Sequence, residues 1–461
     1  MSSISAGVSA AGVGARALNL PQRMERLPFT RYQRVIFLII ATAWLFDSMD
    51  LAMMTFVLAP ISTAFKLTAA QTGFLGSASL AGMVFGAGLA GILADRIGRK
   101  SVFQSSMIVW GLSSLLCAIS PNLSVLVFFR FFLGFGMGAE FPIGQSLVSE
   151  FIPANQRGKY IALLEGFWPI GFIVAGVVAL ILVPHVGWRW VFVAEGLPAI
   201  WLLVIRRRVP ESPRWLESRG RIEEAETTMA MMETEVQKAY GQPLPAPAKS
   251  GPSDEVAKGG FSLWELLTPR YLRATVGIWL VWFFGLLGYY GITTWMGKLL
   301  VDSGFTVQTS IAFVLGMTLW GVPGFFSAAY FIEKLGRKPA VSGFILLSAV
   351  SSYFYGQAHS ELQVYIAGAV MQFFLFGTWS VLYAYTPEQF PTRARATACG
   401  TASSWGRVGS LIGPMLVPVI MVGMGVSAVF SLAAVSYVIA AASVLIFGTE
   451  TKGKVLEEIA S

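Results

Sequence analysis

The chain has 461 residues, of which 55% are hydrophobic and only 13% charged, with a mean hydropathy of +0.65. A water-soluble domain carries roughly a quarter of its residues as charges, so this balance argues against a soluble enzyme and for a bilayer as the solvent. The net charge of +8 would suit a nucleic-acid binder, but the basic residues lie in short loops between apolar runs, which excludes that class.

Residues 1–34 are rich in Ala, Ser and Gly and then basic, without the apolar core and cleavage site of a signal peptide; they read as a cytoplasmic lead. A helix that crosses hydrocarbon needs about 20 mainly apolar residues. Such runs are predicted near 35–58, 72–94, 101–120, 123–146, 159–182 and 189–206, and again near 272–297, 309–332, 339–357, 362–386, 397–421 and 427–447. This gives an N-terminal six-helix half over 35–206, a C-terminal six-helix half over 272–447 and a tail over 448–461. The interval 207–271 joins the halves. Its part from Pro213 to Tyr240 predicts one or two short surface helices, and the stretch from Gly241, GQPLPAPAKSGPSDEVAKGG, has the composition of a linker.

Basic residues collect at one side of these runs. Arg16, Arg23, Arg26, Arg31 and Arg34 precede the first; Arg96, Arg99 and Lys100 follow the second; Arg206, Arg207 and Arg208 follow the sixth; Lys334, Arg337 and Lys338 follow the eighth; Lys452 and Lys454 follow the last. The other side holds only Lys66, Arg189 and Lys298. The positive-inside rule then makes both termini cytoplasmic. Cys117 and Cys399 fall inside spans three and eleven and read as small core residues, and Asn122-Leu123-Ser124 reads as a chance sequon. Gly82, Gly86 and Gly88, with Gly134 and Gly138, form small-residue stripes that let helices approach closely.

An internal repeat underlies this layout. GILADRIGRK at Gly91–Lys100 recurs 238 residues later, where Asp95, Gly98, Arg99 and Lys100 become Glu333, Gly336, Arg337 and Lys338. The same offset carries Glu150, Pro153 and Arg157 onto Glu388, Pro391 and Arg395. Acids facing arginines at helix ends would act as a cytoplasmic gate, a set comprising Asp95, Arg96, Arg99, Glu150, Arg157, Glu333, Arg337, Glu388 and Arg395. Each exposed pair contributes only about 0–1 kcal/mol, so several are needed to bias two states.

An ionisable group at mid-bilayer costs roughly 2.5–3.5 kcal/mol on insertion scales, which makes each one a functional candidate. Asp47 and Asp50 share one face of span one by their i, i+3 spacing; Arg130 and Glu140 lie in span four, and Arg407 in span eleven. Through the repeat, Asp47, Asp50, Arg130 and Glu140 correspond to Gly285, Gly288, Gly368 and Thr378. Proton coupling is therefore expected in the N-terminal half, with Asp47 or Asp50 paired to Arg130 in one state and protonated in another. A purely structural Asp–Arg pair is the competing reading.

Together these residues resemble the major facilitator superfamily over nearly the whole chain. The loop Gly91–Lys100, Arg130-x-x-x-Gly134-x-x-x-Gly138, Glu150 with Arg157, Pro210-Glu211-Ser212-Pro213-Arg214 and Glu450-Thr451-Lys452-Gly453 are similar to the sugar-porter-like branch, with Thr449 where that branch usually has proline. The resemblance implies an all-α fold of twelve transmembrane helices, a site near mid-membrane and an acid–arginine pairing between spans one and four.

Where ordinary sugar porters carry paired amides in span seven, this chain reads FFGLLGYYGITTW, with Tyr289 and Tyr290. Trp168 in span five, and Trp379 and Tyr383 in span ten, lie in helices that line the cavity of this fold. Such walls favour a flat ring, and Arg407 could bond a carboxylate through its planar fork. FDSMD, GAEFPIGQSLVSEF, EGFWPIG, GYYGITTW and FGTWSVLYAYTPEQFP resemble the bacterial niacin transporter group, aromatic-acid carriers and the synaptic vesicle glycoproteins. That resemblance implies uptake of nicotinate with its ring between Trp168 and Trp379; benzoate, hydroxybenzoate or a sugar remain alternatives, as does a receptor with a carrier fold.

Other classes lack their residues. Gly98-Arg99-Lys100-Ser101 has no Walker spacing, and His185 and His359 are the only histidines, so neither a transport ATPase nor a metalloenzyme is expected. The expectation is a non-enzymatic, monomeric, proton-coupled carrier in a bacterial inner membrane, with no cofactor, metal or nucleic-acid partner. Its expected partners are a small aromatic acid, protons and lipid.

Overall fold

In the computed structural model, residues 20–245, 263–390 and 392–452 are described. The expectations for residues 1–19, for most of the linker, for Pro391 and for the end of the tail fall outside them. Within hydrocarbon a backbone must satisfy its own hydrogen bonds, and helices do so within one segment. The described residues form helices and no strand.

Spans one to four are the single helices Arg31–Ala64, Ala69–Ile97, Arg99–Ala118 and Leu123–Phe151. Span five consists of Ala154–Glu165 and Phe167–Val186, broken at Gly166; span six consists of Trp188–Gly196 and Leu202–Arg208 around a 3₁₀ turn that starts at Leu197-Pro198. Spans seven to twelve are Pro269–Asp302, the pair Val307–Leu319 and Gly321–Leu335, then Arg337–Gly356, Glu361–Glu388, Thr392–Met424 and Val426–Phe447. Eleven are long and apolar enough to cross a membrane. Arg337–Gly356 is the more polar twelfth, carrying Ser342, Ser348, Ser351 and Ser352; three of these hydroxyls donate to carbonyls one turn back, at 2.7–2.9 Å.

Several spans extend beyond their apolar runs because capping residues set their starts. Thr30, Thr68 and Ser360 form capping boxes with Gln33, Gln71 and Gln363 at the heads of spans one, two and ten. Asn122 of the sequon caps span four, its Oδ1 accepting the Val125 N–H at 3.1 Å. Between the halves, the predicted surface helices are Pro213–Ser218 and Ile222–Tyr240.

Within the N-terminal half, spans two and four approach to backbone contact. A Cβ at Gly82 would overlap the Phe131 carbonyl, and one at Gly134 the Ser79 carbonyl; Gly86 and Gly138 sit similarly against Phe135 and Met83. Gly88 does not belong to this stripe: it faces open space. The halves meet at the ends remote from the charged loops. There Ser77 Oγ donates to the Leu411 carbonyl at 3.0 Å, Gly73 packs on Pro414 and Pro418, and Gly297 packs on Thr55.

At the charged end, the short helix Leu20–Glu25 is held by ion pairs to the segment between the halves. Arg23 bonds Glu226 and Glu233, both at 2.7 Å; Arg26 bonds Glu233 at 2.6 Å; Glu25 accepts from Arg157 and Arg214 at 2.9 and 2.8 Å. Burial pushes the Glu25 carboxyl up, but the two guanidinium groups outweigh it and hold its pKa below the ordinary value.

Two outcomes are expected. Gly82→Val should destabilise the purified protein by about 1–3 kcal/mol through overpacking, whereas Gly88→Val should leave its thermal midpoint in detergent unchanged. A depressed carboxylate stabilises above its unfolded pKa of about 4.3 and loses that effect as pH falls through the lower folded value. Protection factors for amide exchange over residues 20–25, corrected for the intrinsic rate at each pH, should thus be high at neutral pH and fall in acid, in high salt or with Glu25→Gln; unchanged protection under all three would contradict the ion-pair account.

Candidate binding cavity and buried charges

Span one brings Asp47 and Asp50 to the inside of the N-terminal half, where both are 1% exposed. Arg130, also 1% exposed, reaches them from span four: Nη1 donates to Asp50 Oδ1 at 3.1 Å and Nη2 to Ser79 Oγ of span two at 2.7 Å. The guanidinium stands 5.8 Å from the Phe192 ring centre. Glu140, fully buried, accepts the Trp110 indole N–H at 3.0 Å through Oε2. Both Asp47 oxygens and Glu140 Oε1 find no hydrogen-bond partner among the described residues.

The chain of charges has a member that the spacing argument missed. Glu195 of span six is 2% exposed and lies in electrostatic contact with Asp50 and Arg130. One buried guanidinium thus faces two carboxyl groups, those of Asp50 and Glu195, while Asp47 lies in electrostatic contact with Asp50 and Glu140. Glu195 stands near the head of a run that also holds Arg189, so by sequence it resembles interfacial polarity; only the fold turns it inward.

Between the halves lies a cavity of which about 80 Å³ is open to the centre of a water-sized sphere, enough for one small ring or several waters. Trp168, Tyr289, Tyr290, Trp379, Tyr383 and Arg407, all six expected binding residues, line it. The rings interlock edge to face: Tyr289 with Tyr290 at 5.2 Å and 87°, Tyr289 with Trp379 at 5.4 Å and 88°. Trp282, not singled out from sequence, joins them against Tyr383 at 5.2 Å and is fixed by its indole N–H to Thr386 Oγ1 at 2.9 Å. Its repeat partner 238 residues earlier is Trp44. Leu80, Met83, Phe325 and Phe376 complete the apolar wall.

Two ionisable side chains face this space from opposite halves. Arg407 comes from span eleven. Glu165 comes from span five, at the residue before the Gly166 break. The repeat places Ser403 opposite Glu165, and it too lines the cavity. Glu165 lies only seven residues into the predicted run 159–182, where an acid reads as a helix end. Because the helix begins at Ala154, Glu165 is about 17 Å deep.

The charged loops are organised around two glycines. Gly98 and Gly336 have φ of +99° and +103°, a region in which a side chain is strained, and each opens the next span. The Glu211 carboxylate caps the first opening, accepting from the backbone N–H of Lys100 at 3.2 Å; Glu450 caps the second, accepting from Arg337 and Lys338 at 2.9 Å. Burial raises the Glu450 pKa, but backbone N–H groups of Lys452, Arg337, Lys338 and Thr451 outweigh it and bring it below the usual value. Thr449, the departure from proline, uses an N–H that proline lacks, donating to Gln389 Oε1 at 3.0 Å.

Among the expected gate residues, Arg99 reaches Glu150 at 3.4 Å, Arg337 reaches both Glu333 at 3.1 Å and Glu388 at 3.2 Å, and Arg157 pairs with Glu25. Arg395 donates to the Pro387 carbonyl at 3.1 Å. Arg96 is exposed, and the Asp95 side chain lies outside what is described. The Arg99–Glu150 and Arg337–Glu388 pairs each stay within one half.

Comparison with known proteins agrees with this architecture. A family model described as sugar (and other) transporter matches residues 40–461. The niacin transporter NiaP of Acinetobacter baylyi is 40% identical over 96% of this chain and all of its own length, and a putative niacin/nicotinamide transporter of Bacillus subtilis is 34% identical over 92% and 98%. The synaptic vesicle 2-related protein of Bos taurus is 29% identical over 94% and 81%. In three dimensions, the xylose transporter XylE of E. coli, in a partially occluded inward-open conformation, superposes with a TM-score of 0.74 at 20% identity, covering 92% of this chain and 99% of that one. Matched almost from end to end, the chain belongs to the sugar (and other) transporter family of the major facilitator superfamily, a family of multi-pass membrane transporters.

Proposed function

We propose that the chain is a proton-coupled importer of nicotinate in a bacterial inner membrane, working by alternating access between its two halves. The observation that carries this reading is the cavity at the interface, with flat aromatic walls from Trp168, Tyr289, Tyr290, Trp379 and Tyr383 and a guanidinium from Arg407. A pyridine ring stacks on such walls, and its carboxylate suits a planar two-pronged donor. The 40%-identical niacin transporter supports the same ligand.

With the basic loops on the cytoplasmic side, contact of the halves at their opposite ends corresponds to an inward-facing state. The paired acids and arginines of those loops, from Asp95 and Arg96 through Arg395, would bias the exchange between states. Coupling runs through Asp50 and Arg130. A neutral carboxylic acid holds a guanidinium less firmly than a carboxylate does, so a proton on Asp50 would free Arg130 towards Glu195 and loosen span one from span four. Asp47 with Glu140 offers a second place for a proton. Nicotinate crosses as an anion, so one accompanying proton makes the cycle electroneutral and the pH gradient drives accumulation by about 1.4 kcal/mol per unit; only a further proton would add about 2.3 kcal/mol per 100 mV.

Three measurements test this. Purified protein in liposomes should exchange labelled nicotinate by counterflow, and nicotinate should raise its thermal midpoint more than nicotinamide; stabilisation by glucose alone would overturn the ligand. Arg407→Ala should raise the half-saturating nicotinate concentration by roughly 10- to 100-fold, the loss expected for a hydrogen bond to a charged group. Asp47→Asn and Asp50→Asn, made separately, should retain counterflow while at least one abolishes uptake driven by a pH gradient. Persistence of pH-driven uptake in both removes these carboxylates from the coupling.

A further inference from the structure

Glu165 has no part in the proposed coupling chain, and its placement is not what packing requires. The residue is 7% exposed, in a cavity whose wall is mainly aromatic and aliphatic, with Arg407, Ser403 and Ser410 as its other non-aromatic polar members. Only one of its oxygens is used: Oε1 accepts from Gln145 Nε2 of span four at 3.0 Å, which fixes the carboxyl plane. Oε2 makes no hydrogen bond among the described residues, and the residue lines the cavity. Tyr383 stands within electrostatic reach of both Glu165 and Arg407, so the two ionisable groups flank one compartment from opposite halves.

A ligand whose carboxylate bonds Arg407 would turn another ring edge towards Glu165 across the cavity, for nicotinate the edge with the nitrogen meta to the carboxylate. If that edge is a C–H, as in benzoate, the buried carboxyl group loses its access to water and gains nothing. If it is a ring nitrogen, the nitrogen's lone pair accepts the acid O–H, and the same bond is made if the proton rests on the nitrogen and the carboxylate accepts. We infer that Glu165 is a specificity-determining residue that reads the ring nitrogen of a pyridine carboxylate, Gln145 holding it in position. This rests on the nicotinate reading above and deepens it: Arg407 selects the acid, the aromatic walls select the ring, and Glu165 selects pyridine over benzene.

The test compares nicotinate with benzoate, the same shape without the nitrogen, by competition against labelled nicotinate and by thermal shift on Glu165→Leu, Glu165→Gln and the unaltered full-length protein. The unaltered protein should prefer nicotinate by about tenfold or more, the selectivity of a site whose buried polar group is left unpaired by the wrong ligand. In Glu165→Leu that preference should collapse to within about threefold, through weaker nicotinate binding and unchanged or tighter benzoate binding, which also shows that the variant is folded. Glu165→Gln, whose amide can still donate, should keep part of the preference. A preference that survives Glu165→Leu overturns this assignment and leaves the nicotinate reading intact. Failure of the unaltered protein to bind nicotinate overturns both.

Discussion

An ionised group without a partner is costly in hydrocarbon, and that cost orders this molecule. Arg130 is 1% exposed in the middle of the N-terminal half. It is tolerable there because Asp50 and Ser79 accept from it and Phe192 presents its ring. Those partners come from spans one, two and six, so one guanidinium ties together the helices of its half. The close approach of spans two and four at Gly82 and Gly134 is what brings Ser79 within reach. Packing and electrostatics are therefore not separable in this half: a larger residue in the glycine seam would also move an acceptor away from the charge.

The C-terminal half solves a different problem. Where the first half has Asp47 and Asp50, the second has Gly285 and Gly288, and its interior is filled by the interlocked rings of Tyr289, Trp282, Trp379 and Tyr383. Duplication gave both halves one backbone plan; their contents then diverged, one towards titratable groups and the other towards flat apolar surface. The cavity lies where the two chemistries meet. Most of its aromatic wall and Arg407 come from one half, while Trp168 and Glu165 come from the other.

Much of this was legible in the sequence because the signals are periodic or repeated. The twelve spans follow from apolar runs, and the doubled loop at Gly98 and Gly336 follows from the Gly-Arg-Lys shared 238 residues apart, each preceded by an acid. The pocket aromatics were readable because tryptophan and tyrosine at mid-depth are conspicuous in so apolar a chain. Glu165 and Glu195 were not readable, since each is a single acid near the end of an apolar run, where polarity is expected anyway. Depth decides their meaning, and depth depends on where the helix begins: span five starts at Ala154, ahead of its apolar run, in a polar segment with no hydropathy signal. Trp282 was hidden for the opposite reason, being one more aromatic in a stretch, VWFF, that would equally suit a lipid-facing surface.

The acids that follow each half's sixth span turn back to its third. Glu211 and Glu450 close their halves as a buckle closes a belt, each gripping backbone N–H groups at the head of a helix three spans earlier. A six-helix unit fastened in this way resists shear between its third and last helices at the charged face. Internal rearrangement of a half is thereby disfavoured relative to its rotation as a block. Work done by a bound molecule is then passed chiefly to the surface where the blocks touch, and the seam between spans one and four is the one place inside a block where a proton would be felt.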